Sequence, residues 1–118
     1  MPSTPAPHLL LRQLLAGQGP EDGKFRWHHV LALMAKVGEK RSADSAALLQ
    51  EIAEFEGRLV FDGRHGHPHS MPPADLLRIL AIQMLAQWDR TKYRAAIVRA
   101  GEVAQTHPAR AIARRLLR

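Results

Sequence analysis

The segment from Ala74 to Trp88 constrains this chain most. Behind Pro72-Pro73, it holds only four polar side chains in fifteen positions: Asp75, Arg78, Gln83 and Gln87. It is too long for a strand, and a run this apolar with its polar residues spread over more than one face reads as a helix buried on most sides. Such a helix has to be enclosed, and the rest of the sequence offers helices to enclose it. The expected fold is therefore all-α, a compact bundle with this segment at its centre.

The flanking pattern supplies the other members. A short helix is expected from His8 to Ala16, after an extended arm over residues 1–7 that holds Pro2, Pro5 and Pro7. Gly17 to Gly23 reads as a loop. Trp27, Val30, Leu31, Met34 and Val37 then recur at helical spacing up to Gly38. Ser42 is a suitable N-cap for a third helix, with Leu48, Leu49, Ile52 and Phe55 inward, Asp44, Glu51 and Glu54 on another side, and Gly57 closing it. A long loop containing His, Pro and Gly fills residues 57–72. After the central helix, two more are expected, from Arg90 to Thr106 and from Pro108, well placed at a first helical position, to the end. This gives five or six helices, and 118 residues fit one helical domain over the whole chain.

Charge is distributed unevenly along this frame. Residues 1–89 carry 9 Lys/Arg against 10 Asp/Glu, whereas residues 90–118 carry 8 against Glu102 alone, a net +7 in the last quarter. The surplus falls inside expected helices and not in a tail. In the last one, Ala109, Ile112, Ala113 and Leu116 form an apolar stripe. Arg110, Arg114 and Arg118 stand at i, i+4 and i+8 on another face, with Arg115 beside them. In the helix before it, Arg90 and Arg94 are expected one turn apart, with Lys92 and Arg99 at a different angle and Tyr93 available to stack on a base. Arginine forks bind phosphate oxygens in pairs. The expected function is thus nucleic-acid binding, to DNA or RNA, through the phosphate backbone, in an accessory factor or subunit of a larger complex that includes other protein subunits. The competing reading is a protein–protein scaffold whose arginines are solvated or paired with Glu51, Glu54 and Glu56.

A separate reading concerns His65, His67 and His69. On an extended backbone, alternate residues point to one side, so three imidazoles with Asp62 nearby would suit zinc, nickel or copper. No other cofactor is expected. Catalysis has little material: there is no cysteine, and Ser3, Ser42, Ser45 and Ser70 lie in no nucleophile elbow. The segment Gly17–Lys24 lacks the first glycine and the hydroxyl residue of a phosphate loop. No enzyme is expected. The apolar run at Leu9–Leu15 is interrupted by Arg12 and far short of a membrane span, so a cytoplasmic protein without membrane attachment is expected.

Overall fold

A computed structural model describes residues 6–18, 27–57, 59 and 71–118. These residues form six helices and no strand: α1 (Pro7–Leu15), α2 (Trp27–Gly38), α3 (Ala43–Glu54), α4 (Pro73–Asp89), α5 (Arg94–Val103) and α6 (His107–Leu116). The all-α bundle expected from the sequence is the observed one. Its radius of gyration, 13.9 Å, matches the ~13.5 Å expected for a folded chain of this length.

The central position of α4 follows from its composition. It touches α2, α3, α5 and α6, and Leu77, Ala81, Ile82 and Leu85 are almost wholly enclosed. Around them one apolar cluster draws on every helix: Leu11 and Leu14 of α1, Val30, Met34 and Val37 of α2, Leu48, Leu49 and Ile52 of α3, Ile97 and Ala100 of α5, and Ala113 of α6. Burying a leucine or isoleucine side chain is worth about 1.5–3 kcal/mol, so this cluster is what holds the helices together.

The helix ends depart from the sequence pattern where side chains from elsewhere intervene. Ser42 caps α3 as expected, accepting the Ser45 N–H at 3.0 Å. The helix stops at Glu54, not at Gly57: Phe55 turns extended (φ −65°, ψ 124°), and its carbonyl, with that of Ala53, accepts from the Arg78 guanidinium. Arg90 and Arg94 do not share a helix. Arg90 follows the last turn of α4, the Asp89 carboxylate accepts the Lys92 N–H at 3.0 Å, and the turn this closes separates Arg90 from α5. In α2 Leu33 joins the buried face with Val30, Met34 and Val37, while Leu31 is 37% exposed. At the far end of the bundle, His8 Nε2 and the fully buried Ser45 hydroxyl share a 2.9 Å hydrogen bond that joins α1 to α3.

Candidate nucleic-acid interface

The candidate surface is built on the α5–α6 hairpin. Ala109 and Ala113 are buried, and Gly101 lets the two helices approach so closely that a Cβ there would lie 3.2 Å from that of Ala113. With successive residues about 100° apart, burying Ala109 and Ala113 turns Arg114 and Arg115 to the opposite, outward face, and Arg118 follows just past the helix end at Leu116. All three are exposed. The amphipathic pattern of the sequence is thus realised, with small residues inward and arginines outward.

The eight basic residues of the last quarter divide into two groups. Arg99 is held by two carboxylates, Glu56 at 2.6 Å and Glu102 at 3.1 Å, which is the internal pairing the competing reading expected, for this one arginine. Arg94 donates to the Leu117 carbonyl at 3.3 Å and Arg110 to the Ala104 carbonyl at 2.9 Å. Both carbonyls lie at helix C-termini, where the backbone dipole favours a cation. These three side chains fasten the hairpin to itself and to the segment after α3. The other five, Arg90, Lys92, Arg114, Arg115 and Arg118, are exposed and form no ion pair with a carboxylate among the described residues. Tyr93 is half-buried against the core, with the Lys92 ammonium 5.6 Å above its ring, so part of its stacking surface is already covered.

What sets the hairpin's position lies in α4. The Asp75 carboxylate, with no exposure, accepts the N–H groups of Gln105 (3.0 Å) and Thr106 (2.9 Å) and the Thr106 hydroxyl (2.7 Å) at the turn between α5 and α6. The same carboxylate pairs with Arg78, whose guanidinium reaches the carbonyls that end α3. One buried ion pair therefore ties the end of α3 to the start of α6. Burial holds the Arg78 guanidinium below its ordinary value, and Asp75 opposes that shift through charge attraction and a hydrogen bond.

Apolar periodicity alone spreads the four polar residues of α4 over several faces and so hides this pair. They form two sets. Asp75 and Arg78, three apart, share a buried face, whereas Gln83 and Gln87, four apart, share the exposed one, and Arg90 continues that strip. The spacing was the available signal. An open groove of about 570 Å³ runs along the strip, with Leu80 and Met84 of α4 and Leu116 of α6 beside the glutamines and Arg90. A second groove of about 330 Å³ lies between α5 and α6, with Ile97, Val98 and Leu117 in its walls and Arg110, Arg114 and Glu102 beside them.

His65, His67 and His69 lie outside the described residues, so the metal reading has no geometry to test it. Among the described residues no cluster of three or more His, Asp or Glu side chains is arranged to hold a metal ion. No helix among them is long and apolar enough to cross a membrane. By fold and surface the described residues form a six-helix bundle presenting an arginine-rich hairpin. No family model, curated protein or solved structure matches it.

Proposed function

We propose that this protein binds nucleic acid through its phosphate backbone and works as an accessory factor or subunit of a larger nucleoprotein complex. The observation that carries the reading is the set of five exposed cations in the last quarter, Arg90, Lys92, Arg114, Arg115 and Arg118, whose side chains form no hydrogen bond or ion pair among the described residues. Arg114 and Arg115 stand on the outward face of one helix and Arg118 just past its end, where a polyanion meets them without the helix having to unfold. A chain with no cysteine depends on no oxidising compartment, which fits a cytoplasmic setting.

Counterion release makes the reading measurable. Five phosphate contacts give a slope of log K against log salt of about −4.5 on B-form duplex and about −3.5 on a single strand. Binding of labelled oligonucleotides by fluorescence anisotropy, at several salt concentrations, reads this directly. The triple substitution Arg114→Ala, Arg115→Ala and Arg118→Ala is expected to flatten the duplex slope by nearly 3 while leaving the circular dichroism unchanged, since all three side chains are exposed. Absence of binding at low ionic strength would overturn the proposal.

One observation favours a scaffold as a second reading. The α5–α6 groove has apolar walls, and Val98 beside it is 39% exposed. A scaffold would give a partner complex or oligomer insensitive to salt and indifferent to the triple arginine substitution.

A further inference from the structure

The groove between α4 and α6 differs chemically from the arginine face beside it. A site for phosphate alone needs only donors and positive charge, because phosphate oxygens only accept. Here Gln83 and Gln87 stand one turn apart on the exposed strip of α4, and neither side chain has a hydrogen-bond partner among the described residues. A glutamine amide offers a donor and an acceptor together, which is the pattern on the edge of a nucleobase. Leu80, Met84 and Leu116 supply apolar surface next to those amides. The end of α2 closes on the same side, since a Cβ on Gly38 would lie 3.0 Å from Met84 Sδ.

Charge selects the class of occupant. No acidic residue is among the groove's described lining, and Arg90 stands at its end. On α6 the ~100° step per residue puts Arg114 and Arg115 on opposite flanks of the outward face. Arg114 lines the α5 side with Leu117, so Arg115 falls on the α4 side, next to Leu116. The neighbouring Asp89 carboxylate is engaged by the Lys92 N–H. Apolar floor, amide edges and flanking arginines together match a base with phosphates on either side of it. A volume of about 570 Å³ lies within the range of pockets that take a small ring system.

We propose that the α4–α6 groove binds the bases of an unpaired nucleic-acid strand, with Gln83 and Gln87 reading base edges and Arg90 and Arg115 holding the adjoining phosphates. This inference rests on the nucleic-acid reading above and adds that the ligand is single-stranded. In a duplex the base faces are stacked and the pairing edges are occupied; only an unpaired base presents both to a groove.

The test compares four ligands of equal length on the full chain by fluorescence anisotropy: a mixed-sequence DNA strand, the matching RNA strand, the DNA duplex, and an abasic deoxyribose-phosphate strand that keeps the charges and lacks the bases. At least one base-bearing strand is expected to bind about tenfold more tightly than the abasic one, the value of one good base contact. Gln83→Ala with Gln87→Ala, at two exposed positions, is expected to abolish that preference while leaving abasic binding unchanged. Equal binding of base-bearing and abasic strands, or a preference for the duplex, overturns the groove assignment and leaves the arginine reading standing. No binding to any of the four overturns both. A preference that survives the double substitution moves the base site elsewhere and also overturns the assignment. Photocrosslinking of a 4-thiouridine strand to the unsubstituted protein supplies a measurement independent of the variants: adducts between Gln83 and Arg90 are expected, and adducts confined to α1–α3 would overturn the proposal.

Discussion

Asp75→Ala tests the connection between the core and the candidate surface. The carboxylate is fully buried beside an Arg78 that is 1% exposed, and it accepts from Arg78, from the Gln105 and Thr106 N–H groups and from the Thr106 hydroxyl. Removing it leaves the guanidinium bonded to the α3 carbonyls but without a counter-charge. Stripping one partner from a buried ion pair costs about 3–5 kcal/mol. The donors at Gln105 and Thr106 regain part of their loss from water, because Gln105 is exposed and Thr106 half-exposed, so they add little, and the expected total is about 4 kcal/mol. For a domain whose whole stability is about 5–15 kcal/mol, that is a large fraction. With a urea dependence of about 1.5 kcal/mol per molar, the unfolding midpoint falls by about 2.5–3 M.

Replacing both partners, Asp75→Leu with Arg78→Met, removes the stranded charge and is expected to cost less than Asp75→Ala alone, even though the turn's N–H groups and the α3 carbonyls lose their partners. Urea unfolding followed by circular dichroism measures all three proteins, and hydrogen exchange locates the change at α6. A loss below about 1 kcal/mol for Asp75→Ala, or a double variant less stable than the single one, would refute the argument that this pair joins α3 to the hairpin.

Three smaller perturbations separate structural from surface roles. Glu56→Gln with Glu102→Gln is expected to change stability by at most about 1 kcal/mol, since both pairs are exposed, and by releasing Arg99 to steepen the salt dependence of duplex binding by about 1. Gly101→Ala is expected to be nearly neutral in urea unfolding, because a gain of about 1 kcal/mol in helix propensity offsets the 3.2 Å approach to Ala113, while Gly101→Val forces the helices apart and costs about 1–3 kcal/mol. Ser42→Ala removes the bond from the Ser45 N–H and is expected to lower stability by about 1 kcal/mol in the same assay.

Helix number, the central place of α4 and the inward alanines of α6 were legible in the sequence, because apolar periodicity reports which face of a helix is covered. The polar residues of α4 were not, because periodicity counts each as a mark of exposure. Gln83 and Gln87 obey that rule. Asp75 and Arg78 break it by satisfying each other and, more importantly, backbone groups at residues 53, 55, 105 and 106, more than twenty positions away. The α4–α5 boundary failed for a local reason: Arg90 to Tyr93 have helical composition, yet the Asp89 side chain captures the Lys92 N–H and closes a turn there. That capture moves Arg90 from the expected α5 stripe to the end of the α4 groove.

This division among the arginines bears on how the charge count is to be read. The net +7 of the last quarter treats every basic side chain as available, but Arg94, Arg99 and Arg110 already have acceptors inside the fold. Five cations of the last quarter then remain with no side-chain hydrogen bond or ion pair among the described residues, and counterion release converts that difference into a slope. Eight contacts give a duplex slope of about −7, and five give about −4.5. A measured value near −7 would mean that the bonds to Glu56, Leu117 and Ala104 open on binding, so that the hairpin rearranges around its ligand. A value near −4.5 would mean that they hold, and that the same contacts fastening α6 in place keep Arg114, Arg115 and Arg118 aimed outward before any ligand arrives.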